Sequence, residues 1–272
     1  MLAPGRGLRL GCVDGRTHVR MKNLLSRENT EVLAQVAWSR VLLAFDFDGT
    51  LAPIVADRSR AQMRQETAAL FAELCMLFPC GVISGRSQAD VAARLGRAHV
   101  KYVMGNHGLE PGEDLGAFER DIARVRVRLS RALSQWPGVE IEDKRYSLAL
   151  HYRKSRQASL ARAAIYEAVA NLPERMRTLP GKRVVNVLPE RAPNKGHALI
   201  QLRTEEGADT ALYVGDDLAD EDVFALDQPG RLLAVRVGKS SSSSAAYYVS
   251  DQRAIDRLLE KLVEHGQQRK AS

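Results

Sequence analysis

Two carboxylates stand two residues apart in Asp46-Phe47-Asp48-Gly49-Thr50, directly after the apolar run Val41-Leu42-Leu43-Ala44-Phe45. The run reads as a buried strand and Gly49 as part of the turn that ends it. Residues i and i+2 of an extended segment point to one side, so Asp46 and Asp48 share a small space. Like charges this close repel unless a cation or a shared proton offsets them. Mg²⁺ is the natural cation, because it takes oxygen ligands, keeps waters and is commonly completed by a substrate phosphate. The plainer reading is a helix N-terminus with two capping acids.

Three further groups lie where strands give way to turns. Ser84-Gly85-Arg86 follows the short apolar run Gly81-Val82-Ile83 and precedes a helix predicted over Gln88–Leu95, which offers a hydroxyl, backbone amides and a helix N-terminus to an anion. Lys195 opens another helix, and Gly215-Asp216-Asp217-Leu218-Ala219-Asp220-Glu221-Asp222 ends a buried strand with more acids than capping needs. Phosphoryl transfer uses these four kinds of group. Asp46 can attack phosphorus, Mg²⁺ can neutralise developing charge, Lys195 and Ser84 can hold equatorial oxygens, and Asp48 can shuttle the proton.

The elements that would position these groups are legible from periodicity. Strands are expected at Val41–Phe45, Gly81–Ile83, Tyr102–Met104, Ala211–Val214, Leu232–Val237 and near Tyr247–Val249. Helices are expected over 22–38, 62–78, 88–95, from Asn194 to about Arg203, and over Ala254–Glu264. The serine run from Ser240 to Ser244 reads as a loop. Strands alternating with helices imply an α/β fold, a Rossmann-like parallel-sheet core with helices on both faces. Between about 113 and 191 the pattern changes to helix (Phe118–Leu133), two strands (around Val139–Ile141 and Ser147–Tyr152), helix (Leu160–Leu172) and strand (Arg183–Val187). That is a compact α+β unit inserted into a core formed by 21–112 and 192–272. Residues 1–20, rich in glycine and arginine without apolar periodicity, read as a disordered or adventitious extension.

Composition limits what this site can belong to. Hydrophobic residues at 45% and charged residues at 27% of the 272-residue chain are ordinary for a soluble globular protein, and no apolar run is long enough to span a membrane. The chain is therefore expected in the cytosol. Cys12, Cys75 and Cys80 lack zinc spacing and imply no disulfide framework. A net charge of +7 favours an anionic partner, and the dispersed arginines with few aromatics point to a small phosphorylated metabolite and away from nucleic acid. Oligomeric state is not legible.

Taken together, the Asp46–Thr50 stretch, Ser84, Lys195 and Gly215-Asp216-Asp217 through Asp220 resemble the four motifs of the haloacid dehalogenase superfamily, in its Mg²⁺-dependent phosphatase branch. The insert lies where members acting on sugar phosphates carry an α+β cap. Gly105-Asn106-His107-Gly108-Leu109-Glu110, Leu148-Ala149-Leu150-His151-Tyr152-Arg153 and Asn194-Lys195-Gly196 are similar to the trehalose-6-phosphate phosphatase family. The resemblance implies Asp46 as nucleophile and Asp48 as general acid and base. It implies metal held by the Asp46 carboxylate, the Asp48 backbone carbonyl and Asp216, with Asp220 close behind and Asp217 assisting.

Expected substrate contacts are Arg86, Asn106 and His107 on the core, and Lys144, His151, Arg153 and Asn186 on the cap. Each has a plainer reading: Arg86 as the partner of a nearby acid, His107 and Asn106 as turn residues, and the cap residues as a solvated strand face. The chain departs from the family pattern at Asn186 and Leu188, where a Glu and a Lys are common, and at Ala219, where a Thr is usual. These changes touch hydrogen bonding to the sugar, since an amide can donate where a carboxylate only accepts. Another disaccharide phosphate, a glycosyl-phosphoglycerate or a sugar phosphomutase reaction is the alternative, and a non-catalytic phosphate or nucleic-acid binder is disfavoured by the full set of reactive groups.

Overall fold

A computed structural model describes residues 21–112, 115–226, 228 and 230–272. The extension expected at 1–20, with Cys12, lies outside the described residues. Among the described residues, eleven strands fall in two sheets. The first contains β1 (Lys22–Asn23), β2 (Val41–Phe45), β3 (Cys80–Ile83) and β4 (Tyr102–Met104), then β9 (Thr210–Gly215), β10 (Leu232–Val237) and β11 (Tyr247–Val249). The second contains β5 (Glu140–Asp143), β6 (Leu148–His151), β7 (Met176–Gly181) and β8 (Val184–Pro189). Eight α-helices pack on them: α1 (Thr30–Trp38), α2 (Gln65–Leu77), α3 (Gln88–Arg94), α4 (Leu115–Ala132), α5 (Ala158–Ala170), α6 (Lys195–Glu206), α7 (Glu221–Phe224) and α8 (Ala254–Ala271).

The first sheet is parallel throughout, in the order β1-β11-β10-β9-β2-β3-β4. The chain runs outward from β2 toward β4 on one side and from β9 toward β11 on the other. The strand order therefore reverses beside β2, and the crevice at such a switch point is where open α/β sheets bind ligands. Register completes the placement. Phe45 pairs with Val214 of β9 and with Val82 of β3, so Asp46, Asp216 and Ser84 all emerge at one edge.

Because strand residues alternate, each strand of the sheet supplies both faces. Val41, Leu43 and Phe45 join Phe71, Leu74, Leu258, Leu259 and Leu262 under α1, α2 and α8. Leu42 and Ala44 join Ala198, Leu199 and Leu202 of α6 and Val223 and Phe224 of α7. Burial on both faces is why these strands read as continuous apolar runs.

The second sheet is antiparallel, in the order β5-β6-β8-β7. Leu148, Leu150, Val185 and Val187 face α4 and α5, which leaves Glu140, Glu142, His151, Val184 and Asn186 on the face toward the crevice. This is the inserted α+β cap. Among the described residues no helix is long and apolar enough to cross a membrane.

Three expectations are corrected. The helix expected over 22–38 begins only at Thr30, because Lys22–Asn23 add to the sheet edge beside β11 and a 3-10 turn at Arg27–Asn29 intervenes. Strand β7 was not expected; it lies at the edge of the sheet beside β8, where its Pro180 is tolerated. The closing helix continues beyond Glu264 to Ala271.

Two substitutions on α2 separate core from surface. Phe71 is fully buried with its ring edge-on to Phe45 at 5.5 Å, so Phe71→Ala is expected to cost about 3–5 kcal/mol in urea unfolding. Met76→Ala, at an exposed position, is expected to change stability by no more than about 0.5 kcal/mol.

Candidate active site

At the end of β2 the Asp46 amide donates to Val214 O at 2.8 Å, which ties the first acid to β9. The chain then turns tightly, with the Gly49 amide donating to Ala52 O at 2.7 Å and the Ala52 amide to Phe47 O at 2.8 Å. Gly49 has φ of 90°, a conformation glycine adopts without steric cost. A Cβ there would also lie 2.3 Å from the Asp216 carboxylate. Asp46 is buried, whereas Asp48 is partly open to the cleft.

Lys195, the first residue of α6, is placed by Asn194, whose side chain caps the helix by accepting the His197 amide at 2.9 Å. Its ammonium donates to Asp46 Oδ1 and Asp220 Oδ1, each at 2.7 Å. Asp220 is held by two more donors. The Tyr213 hydroxyl donates to Oδ1 at 2.7 Å and the Asp217 amide to Oδ2 at 2.9 Å. Asp217 itself caps the 3-10 turn at Leu218–Asp220 by accepting the Leu218 amide at 2.8 Å.

Asp216 differs. Its Oδ1 is buried without a hydrogen-bond partner, and the Lys182 ammonium of the β7–β8 turn stands 3.5 Å from Oδ2. One carboxylate oxygen from each of Asp46, Asp216 and Asp220 lies within 4.8 Å of the others. Burial, followed by Asp220, pushes the Asp216 carboxyl up to about 7. Burial, with Asp220 and Asp216 against Lys195, likewise raises Asp46 well above the usual carboxylate range. Lys195 stays charged, because Asp220 and Asp46 outweigh its desolvation. Three carboxylates against one buried ammonium leave excess negative charge, and an orphaned hard oxygen faces it. A divalent cation fits this donor set.

A cleft of ≈ 900 Å³ separates this cluster from the cap sheet, and Asp46, Asp48, Arg86, His107, Lys144, His151, Arg153, Asn186, Lys195 and Asp216 all line it. Ser84 lies just beneath, fully buried, its Oγ accepting the Arg86 amide at 3.2 Å. Asn106 is set back from the cleft. Its side chain accepts from the Ser147 hydroxyl and donates to Glu110 Oε2 at 2.9 Å and Lys144 O at 3.1 Å, which ties the core to the turn between β5 and β6. That matches its plainer reading as a turn residue.

The Lys144 ammonium donates to Gly85 O at 2.8 Å, and burial with the nearby Arg58 lowers it to about 8. His151 Nε2 lies 2.8 Å from Glu142 Oε2, a contact that leads in bringing Glu142 down to about 2. Arg153 reaches only Lys182 O at 3.4 Å. Arg86 is engaged by acids, as its plainer reading held: it spans both Asp48 oxygens and Asp90. Asn186 faces the cleft, and Leu188, two residues on, is buried with Leu109, Phe118 and Tyr146 where cap meets core.

Four residues at the site escaped sequence reasoning. Arg58 stands 3.9 Å from both Asp48 Oδ2 and Glu142 Oε2 and opens a three-residue 3-10 turn, Arg58–Arg60, too short to show a periodic pattern. Tyr213 looked like an ordinary strand residue, Lys182 sits in the turn of the unexpected hairpin, and Glu142 pairs across strands. Alternation along β5 was the available signal for Glu142.

His107 has φ of 61°, both ring nitrogens buried without partners, and its ring packed against Gly85. Burial, followed by Lys195, Lys144, Arg177 and Arg58, holds its pKa well below the usual histidine value. The folded chain thus refuses a proton that the unfolded chain accepts near pH ~6.5. Stability from this group is present above that pH and lost as pH falls below it. The raised Asp46 and Asp216 act oppositely, losing stability as pH rises, and remain in a His107→Asn variant. In EDTA the wild type is expected to lose about 1 kcal/mol more than His107→Asn between pH ~7.5 and ~5.5, measured by urea unfolding.

With this geometry in hand, the sequence matches the family described as Trehalose-phosphatase over residues 44–253. A trehalose-phosphate phosphatase of Mycobacterium avium is 33% identical over 207 residues, covering 71% of this chain and 53% of the relative. One from Mycobacterium tuberculosis is 30% identical over 241 residues, covering 81% of this chain and 61% of the relative. The chain thus spans little more than half the length of these curated relatives. Among solved structures, the C. albicans trehalose-6-phosphate phosphatase C-terminal domain superposes with a TM-score of 0.73 at 22% identity, covering 91% of this chain and 99% of that one. That likeness bears on the fold, a haloacid-dehalogenase-type core with a cap, while the match over most of the sequence places this chain in the trehalose-phosphatase family.

Proposed function

We propose that this chain hydrolyses trehalose 6-phosphate to trehalose and phosphate in a Mg²⁺-dependent reaction. The observation that carries the reading is the Lys195 ammonium fixed between Asp46 and Asp220 beside the unpartnered Asp216 oxygen, on the floor of a cleft roofed by the cap. We assign 21–112 and 192–272 to the catalytic core and 113–191 to the cap. The Asp46 and Asp216 carboxylates with the Asp48 backbone carbonyl would hold the metal, and Asp220, whose two oxygens already accept three donors, would fix Lys195 and the acidic turn behind them. Bound there, Mg²⁺ would supply charge neutralisation at the phosphoryl oxygens.

The chain's own residues do the rest. Lys195 orients the Asp46 carboxylate and offers its charge to a phosphoryl oxygen, and Ser84 keeps a hydroxyl proton to donate. Asp46 attacks phosphorus while Asp48 gives the departing sugar oxygen its proton. An aspartyl-phosphate forms, which divides one displacement into two. Asp48 then takes a proton from the water that releases phosphate and regenerates Asp46. The cap excludes bulk water, and Arg153 and Lys182, each held by a single long contact, supply contacts for the sugar together with Asn186.

A second reading keeps the chemistry and moves the specificity. Asn186 projects into the cleft opposite Ala149 on β6, and an amide there suits a different hydroxyl pattern from a carboxylate, so sucrose 6-phosphate or a glycosyl-3-phosphoglycerate is the competing substrate. The cleft's cations are interleaved with acids, which fits a small phosphorylated sugar and not a nucleic-acid backbone. Cys75 and Cys80 are free thiols, in keeping with a cytosolic setting.

Phosphate release should be strongest from trehalose 6-phosphate in Mg²⁺ and absent in EDTA, with glucose 6-phosphate, sucrose 6-phosphate and a glycosyl-phosphoglycerate as competitors. Preference for one of the latter would move the assignment to that sugar. Asp46→Asn should fold normally and lose at least about a thousandfold in kcat, the scale on which removal of a unit of the machinery acts; substantial residual turnover would exclude the covalent route. Mg²⁺ should also raise the melting temperature by mass action on the folded state. That shift should shrink in Asp216→Asn, which differential scanning fluorimetry reads without turnover.

A further inference from the structure

Arg86 commits all three nitrogens of its guanidinium to acceptors of the protein itself. Nε donates to Asp48 Oδ2 at 2.7 Å and Nη2 to Asp48 Oδ1 at 2.8 Å. Nη1 donates to Asp90 Oδ2 at 2.6 Å, and Nη2 also donates to Arg58 O at 2.8 Å. The side chain is only 5% exposed, and its guanidinium carbon stands 5.7 Å from the Phe47 ring centroid. A residue that grips a substrate phosphate must keep donors free. Lys182 and Arg153 do so in this cleft, reaching their nearest acceptors only at 3.5 and 3.4 Å. Arg86 does not.

The other partner of this pair is Asp48, whose side chain is 28% exposed at the cleft surface and is followed by the left-handed Gly49. Its nearest other cation, Arg58, stands at 3.9 Å, beyond hydrogen-bonding reach. The two parallel bonds from Arg86 fix both the direction and the height of the carboxyl, as only a planar fork can. From these contacts we infer that Arg86 is a positioning residue for Asp48 and that it acts on the leaving sugar, not on the phosphoryl group.

This inference rests on the phosphatase reading. In the first step the Asp46 oxygen bonds to phosphorus and the bond from phosphorus to the sugar oxygen breaks. The electron pair passes to that oxygen, which takes the proton of Asp48. In the second step water attacks phosphorus, its proton goes to Asp48, and the bond between phosphorus and Asp46 breaks. Asp48 must therefore return to one place in every turnover. Arg86 stays anchored by Asp90 and the Arg58 carbonyl while the carboxyl exchanges its proton, so the fork supplies that place.

Leaving-group chemistry separates this role from a structural one. A sugar alkoxide needs a proton to leave, whereas p-nitrophenolate leaves without one. Arg86→Gln is expected to lower kcat/KM for trehalose 6-phosphate about 100-fold and that for p-nitrophenyl phosphate less than about threefold, the scale of a displaced general acid. Arg86→Lys, which keeps the charge but loses the fork, should fall between wild type and Arg86→Gln on the sugar ester. Retained p-nitrophenyl phosphate turnover also certifies that each variant is folded.

Equal losses on both esters, in both variants, would overturn the inference, as would undiminished turnover of the sugar ester. If wild type leaves trehalose 6-phosphate untouched, the substrate assignment fails while the inference stays testable. Phenyl phosphate then replaces the sugar ester, because its leaving group is far more basic than p-nitrophenolate. The variants should lose turnover of phenyl phosphate selectively, and parallel losses on the two aryl esters would refute the role of Arg86.

Discussion

A single ammonium between two buried carboxylates organises this molecule. Lys195 is almost completely buried, as are its partners Asp46 and Asp220, and an unpaired charge in such a place would be strongly unfavourable. The three residues come from the end of β2, the start of α6 and the turn after β9, so the pairing is possible only if those strands are neighbours in register. The parallel pairing of Phe45 with Val214 provides that register. Tyr213, one residue before Val214, points to the α6 face of the sheet and uses its hydroxyl to hold Asp220. Core packing and charge placement are thus one constraint. A one-residue slip of β9 would turn Tyr213 away and strand the carboxylate.

The same logic extends to the cap. Its sheet turns apolar residues toward α4 and α5 and polar ones toward the cleft, and both polar contacts and an apolar cluster join it to the core. The Lys144 ammonium reaches Gly85 O, the Ser147 hydroxyl reaches Asn106, and a small apolar cluster of Leu109, Phe118, Tyr146, Leu188 and Ala192 lies beside the connecting segments. Gly85 belongs to the turn that carries Ser84 and Arg86. The cap is therefore fastened in part to the backbone that presents Ser84 and Arg86.

The core was legible because its strands are buried on both faces and so read as apolar runs, and because β2, β3 and β9 end in residues that line or underlie the cleft. Asp46, Asp48, Ser84, Lys195 and Asp216 stand out by type and position. What stayed hidden has physical causes. Strand β7 carries Pro180 and Gly181, tolerable only because nothing pairs with its outer edge. Arg58 opens a 3-10 turn capped by Asp57, and hydrogen bonds from Arg86 and Arg94 fix that short turn against the site from a distance in sequence. Tyr213 is indistinguishable by periodicity from an apolar strand residue, since its function resides in one terminal atom. Arg86 could be read as a phosphate clamp or as the partner of an acid, and the contacts to Asp48 and Asp90 that favour the second come from residues far apart in sequence or a helical turn away.

The two departures at Asn186 and Leu188 illustrate how a structure separates changes that look equivalent in sequence. Both lie on β8 with two-residue spacing and so point to one side of the sheet, yet they meet different surroundings. Asn186 sits over the cleft, where a donor in place of an acceptor alters which hydroxyl pattern is satisfied. Leu188 is fully buried in the apolar joint between cap and core, where a charged side chain would lack a partner. A change at the first position speaks to the ligand and a change at the second to the joint. Apolar contact at Leu188 thus helps to hold the cap to its core, while two residues earlier the same strand turns an amide into the cleft.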